Sequence, residues 1–245
     1  MMRIILILVM VKSKNNYILY IERSENNMKK KLEICCDASI TTYPNGRTFG
    51  CAGAIAIGLN IERTIIVPDT TNNIAELMAM YTAVKLAEEM RAIDNYDITI
   101  YADSKFVVYG LKVWMDSWLR SMDRNGIMYN SNNEPVKNQD LFAMIISYMV
   151  TNNLRLKIRH QKGHVKVLSE GSMGVAQRVF TRSNGYSLDH ETLSRISYYN
   201  NKIDYDTKQI LKTTNPDDYP IIPKTDGLEN VCKYVIPCNY KDYIL

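Results

Sequence analysis

Apolar and polar positions alternate, cluster and recur in a way that divides most of the chain into elements. Residues 32–38 (LEICCDA) form an apolar run that predicts a strand carrying Asp37 near its C-terminal end. Tyr43-Pro44-Asn45-Gly46 then predicts a turn. Residues 51–59 are small and apolar and predict a buried second strand, with Gly53 marking a close backbone approach. Residues 62–67 predict a third strand, stopped by Pro68. Three strands with short links predict an antiparallel meander. Ile74, Leu77, Met78, Tyr81 and Val84 recur at helical spacing, so a helix is expected over 73–90. Asn73 and Glu76 together spell a capping box at its start. Residues 97–102 (DITIYA) predict a strand ending beside Asp103, and the helix before it implies a parallel crossover.

Beyond that point the pattern predicts a helix over 104–121, with Trp114 and Trp118 on one face. A polar turn region covers 123–133. A helix follows over 138–150, a half-exposed strand over 154–158 and a last helix over 200–212. Residues 165–199 break the rhythm. They are polar and carry Gly171, Gly174 and Gly185, which predicts an inserted loop with a short helix near Glu191, by default a disordered spacer. The tail after Thr213 holds Pro216, Pro220, Pro223 and Pro237 and should be extended and irregular. The order of elements predicts an α/β three-layer domain around a mixed sheet over 31–212, with an N-terminal extension over 1–30 and a tail over 213–245.

A chain of 245 residues can bury a proper core without disulfides or a structural metal. Its net charge of +4 permits a polyanionic partner. The five cysteines match no zinc pattern, and Cys35, Cys36 and Cys51 fall in predicted strands, so buried free thiols and a reducing, cytoplasmic-type compartment are expected. The apolar run over 4–11 is too short to cross a bilayer, and no small-x-small cleavage site follows it. Met28 and the lysines after it look like a start of the core domain.

Three carboxylates then change the picture. Asp37 and Asp103 are expected at strand ends, the edge where open α/β sheets bind ligands. On neighbouring parallel strands they would lie about 4.8 Å apart and repel each other unless a cation intervenes. Glu76, in the first turn of the crossover helix, can point at the same place. Hard oxygen donors favour Mg²⁺ or Mn²⁺, and a pair of such ions suits phosphodiester cleavage. Each acid also has a bland role: Glu76 in its capping box, Asp103 as an N-cap, Asp37 in a turn.

The stretches TTNNIAELMA, YADSKFVVYGLKVWMDSW, EPVKNQDLF and QKGHV, in this order, resemble the type 1 ribonucleases H, over roughly 32–164 and again over 200–211. The resemblance implies a ribonuclease H-like fold with a five-stranded mixed sheet and a long insertion before the last helix. It implies an endonuclease that cuts the RNA strand of RNA–DNA hybrids with two Mg²⁺ ions, for which Mn²⁺ can substitute, leaving 5′-phosphate and 3′-hydroxyl ends. The family's metal-binding acids fall on Asp37, Glu76 and Asp103. Asn200 and Asp204 fit the spacing of its fourth carboxylate, with Asp189 and Asp206 as further candidates. His164 matches the family's mobile-loop histidine, while His160 is expected to be solvated. Asn72 and Asn73 match asparagines that face the hybrid's minor groove. Trp114 and Trp118 match aromatics near the handle that grips DNA, and Asn200 is placed at the substrate. A monomer with a hybrid as its partner and no membrane is expected.

Three features depart from the family pattern: the turn after the first acid, which reads ASITTYPNG where the family's is glycine-rich; a handle with Asp116 and Asp123 among its arginines; and the insertion over 165–199, whose Lys166, Arg178, Arg182 and Arg195 could add a clamp. The rival expectation is a non-catalytic hybrid-binding module, in which the insertion has displaced Asp204.

Overall fold

A computed structural model of the chain describes residues 5–13, 16–24, 29–221 and 236–245. The chain divides into two units, Met1–Lys30 and Lys31–Leu245. In the first, β1 (Ile5–Ser13) and β2 (Asn16–Ser24) pair as an antiparallel hairpin.

The second unit is built on a five-stranded sheet ordered β5-β4-β3-β6-β7. β3 (Lys30–Thr42), β4 (Thr48–Ala56) and β5 (Ile61–Val67) form the expected antiparallel meander. α1 (Asn72–Ile93) crosses to β6 (Tyr96–Ala102), which pairs in parallel with β7 (Lys157–His160). The helix predicted over 104–121 is three continuous pieces: α2 (Lys105–Tyr109), a π-helical turn (Gly110–Trp114) and α3 (Met115–Arg120). There a Cβ on Gly110 would fall 2.3 Å from the Phe142 ring of α4 (Gln139–Thr151). β7 starts later than expected because Leu156 forms a bridge with Ile244, while Leu154 and Leu156 are buried in the core. The described end of the tail is therefore docked: Tyr240 is buried and Leu245 N–H donates to the Leu156 carbonyl.

The largest correction concerns residues 165–199. They hold α5 (Glu170–Asn184) and the first turns of α6 (His190–Thr213), where a spacer loop was expected. Ser169 and Asp189 cap the two helices through their side chains, and Gly185 ends α5 in a left-handed conformation. Met173, Ala176, Phe180, Leu193, Ile196 and Ile203 pack with Cys35, Ile55 and Tyr101 into a second core. α1 and α4 cover one face of the sheet, with Ile34, Cys36 and Ile100 in the larger core. The sheet is thus buried on both faces, and the insertion supplies much of the second helical layer. Among the described residues no helix is long and apolar enough to cross a membrane.

Candidate metal centre

Strand alternation sorts β3 into two faces. Ile34, Cys36 and Ala38 enter the larger core, so Cys35, Asp37 and Ser39 point towards α6. Asp37 is 4% exposed and its Oδ1 accepts the Ala38 N–H at 2.7 Å. It lies within β3, not at its end as expected, because β3 continues in register with β4 as far as Thr42. Its register partner on β4 is Gly53. A Cβ there would meet Ile203 at 2.7 Å, so the missing side chain is what lets α6 approach this part of the sheet.

Glu76 is not tied up by its own helix. Thr71, not Asn73, caps α1, accepting the Ile74 N–H at 3.4 Å, so the expected capping box does not form. Similarly Ser104, not Asp103, caps α2. Asp103 follows directly on β6, and both acids are free to turn inward. Carboxylate oxygens of Asp37, Glu76 and Asp103 all lie within 4.8 Å of one another.

Burial and mutual repulsion hold these acids up. Desolvation first, and the Asp103 and Glu76 charges second, push Asp37 up to about 9. Desolvation, then Asp103 and Asp204, push Glu76 up to about 8. Asp103 is raised by burial and partly relieved by a hydrogen bond from Asn200. Asn200 is 1% exposed and sits beneath the cluster, away from the surface where a substrate contact was expected. Its Nδ2 donates to Asp37 Oδ2 and Asp103 Oδ2, both at 3.3 Å, and its Oδ1 accepts Gln161 Nε2 at 2.6 Å. Sequence reading missed this bracing role, and it missed Gly163, where a Cβ would fall 1.9 Å from Asp103 Oδ2. The dipeptide Gly163-His164 was the available signal.

Asp204 lines the same cleft of about 290 Å³ as the three acids, along with Asn72, Ser39, His164 and Lys208. Its carboxylate accepts from Lys208 Nζ at 2.7 Å and Ser39 Oγ at 3.3 Å, and lies 3.4 Å from His164 Nδ1. The other two candidates lie elsewhere: Asp189 caps α6 and Asp206 pairs with Lys202. The insertion therefore does not displace Asp204. His164 is exposed, its side chain 71% accessible. His160, expected to be solvated, is buried, with Nδ1 2.9 Å from Ser183 Oγ and Nε2 3.2 Å from the Asp103 carbonyl. Asn73 and Trp114 line a separate groove of about 730 Å³ beside α3. Trp118 lines it too, but is buried edge-on against Phe142.

The donor set is all oxygen and strongly repelling, which fits Mg²⁺ or Mn²⁺ and gives no soft ligand to zinc. Fold and site together define an α/β protein with three clustered carboxylates, able to hold a cation, beside the inner strands β3 and β6. The RNase H family model matches residues 29–173. A ribonuclease H of Prosthecochloris aestuarii is 30% identical over 139 residues, covering 56% of this chain and 86% of that protein. One of Rickettsia akari is 32% identical over 96 residues, covering 39% of this chain and 55% of its own length, so the chain spans only about half of some relatives it matches. A solved type 1 RNase H with the type 2 active-site motif superposes with a TM-score of 0.41 at 18% identity, covering 67% of this chain and 80% of that one. The chain belongs to the RNase H family.

Proposed function

We propose that the protein hydrolyses the RNA strand of RNA–DNA hybrids, leaving 5′-phosphate and 3′-hydroxyl ends. The observation that carries this reading is the mutual approach of Asp37, Glu76 and Asp103 within 4.8 Å, in a chain of this family. With Asp204 across the cleft, these side chains would hold two divalent ions, Mg²⁺ or Mn²⁺. Bound there, such ions supply activation of water and neutralisation of charge on the leaving oxygen. The chain's own residues do the rest. Asn200 holds the Asp37 and Asp103 carboxylates in place from below. Gly163 lets the loop backbone lie against Asp103. His164, exposed beside Asp204, is positioned to move a proton at the mouth of the cleft. Asn72 and Asn73, exposed at the start of α1, would read the minor groove and its 2′-hydroxyls, and Trp114 would stack in the neighbouring groove.

The protein would work as a monomer in a reducing, cytoplasmic-type compartment, consistent with three buried free thiols. Asp103→Asn tests the reading. With a labelled hybrid and a Mg²⁺ titration, it should abolish cleavage while binding persists. Full Mg²⁺-dependent cleavage by that variant refutes the assignment.

A further inference from the structure

α5 buries one face and shows another. Met173, Ala176 and Phe180 pack on the sheet. Val175, Arg178, Val179 and Arg182 join Lys105 and Tyr109 around a cavity of about 310 Å³. All three cations are exposed, and among the described residues none of them forms an ion pair. This sets them apart from Arg195, Lys157, Lys202 and Lys208, each of which is paired with an acid. Three positive charges around one cavity repel each other, and an anion relieves that repulsion. The apolar walls of Val175, Val179 and Tyr109 suit a sugar beside that anion. The place also matters. His160 lines the same cavity and approaches the Asp103 carbonyl, and Lys105 stands two residues after Asp103. The cavity therefore adjoins the carboxylate cluster. Most of α5 lies beyond the segment matched by the family.

We propose that Lys105, Arg178 and Arg182 bind a backbone phosphate of the nucleic acid as it leaves the carboxylate cluster, so that α5 lengthens the footprint on the substrate. This rests on the hybrid-nuclease reading above. Phosphate contacts of this kind release counterions, each contributing about 0.9 to the slope of log affinity against log salt.

The test uses the full chain with Asp103→Asn, which keeps a long fluorescent hybrid intact, and reads binding by anisotropy. Adding R178Q/R182Q should weaken binding at low salt. It should also shrink the affinity lost between about 50 and 200 mM salt by about threefold, the share of one phosphate contact. R178K/R182K, which keeps both charges, should retain the parent's slope. A slope as shallow as that of the Gln variant would mean that charge is not what binds, and would overturn the proposal. Unchanged affinity and slope in R178Q/R182Q, with a parent that binds hybrid, overturns it and leaves the nuclease reading standing. A parent that binds no hybrid overturns both.

Discussion

Glu76→Gln isolates the electrostatics of the cluster from its packing. The substitution is nearly isosteric, and among the described residues the Glu76 carboxylate makes no hydrogen bond that the change would break. Its oxygen lies within 4.8 Å of oxygens on both Asp37 and Asp103. At an effective dielectric near 20, one such pair of full charges costs about 3 kcal/mol. Glu76 is half-buried and burial pushes the Asp37 carboxyl beside it up to about 9, so solvent and charge sharing reduce the recoverable energy to about 2 kcal/mol. For a chain of this size that is a rise in Tm of about 4–8 °C.

The pH dependence follows from the direction of the shift. Glu76 titrates near 8 in the folded protein against an ordinary value of 4.5. Below pH 4.5 it is protonated folded or unfolded and costs nothing. As pH rises towards 8 the unfolded chain ionises freely and the folded one resists, so stability drains away across that window. Thermal melts in chelator should therefore show wild type and Glu76→Gln together near pH 4 and the variant ahead at pH 8. With Mg²⁺ at pH 8 the order should reverse, because the wild type alone gains binding energy from the complete acid set. Coincident melts at pH 8 in chelator, or an equal gain at pH 4, would refute the reasoning.

Gly163→Ala should reduce cleavage more than 100-fold in a steady-state assay while far-UV circular dichroism stays native, since its Cβ would meet Asp103 Oδ2 at 1.9 Å. Asn200→Ala removes two hydrogen bonds from the carboxylates and leaves Gln161 Nε2 with only the weak acceptor Cys35 Sγ among the described residues. Chemical denaturation should show a loss of about 1–3 kcal/mol. Phe180→Ala should cost about 3–5 kcal/mol in the same assay, whereas a spacer loop would tolerate it.

The first half of the domain was legible because its signals are local. Apolar runs joined by short links marked the meander, helical spacing marked α1, and Tyr43-Pro44-Asn45-Gly46 marked the turn. The capping box was misread because Thr71, two residues earlier, is itself a good N-cap and accepts the Ile74 N–H, which places Asn73 already inside the helix. α5 was missed for a different reason. Its stripe of Met173, Ala176 and Phe180 is thin, and Gly171 and Gly174 dilute its helical propensity. What makes it a helix is largely tertiary: Phe180 packs on Tyr101 of β6 in the second core, while the Ser169 and Gly185 caps fix the ends. The buried role of Asn200 was equally out of reach, because its partners Asp37, Asp103 and Gln161 come from three other elements.

The insertion and the carboxylate centre are therefore one mechanical unit. Asn184 of α5 donates to the His160 carbonyl and accepts the His160 N–H, while Ser183 contacts the His160 ring. That ring reaches the Asp103 carbonyl on its other side. A displacement of α5 is transmitted along this path to the backbone that carries Asp103. Removing residues 169–186 should consequently do more than expose the sheet. It takes the Asn184 and Ser183 contacts from His160, which keeps its pairing with Ala102, and so loosens the imidazole that approaches the Asp103 carbonyl. That deletion should therefore weaken Mg²⁺ binding, measured calorimetrically, in parallel with stability. Ser183→Ala, which removes only the contact to the ring, should lower Mg²⁺ affinity with little change in Tm. If metal affinity stays at the wild-type level in Ser183→Ala, α5 supports the sheet but not the site.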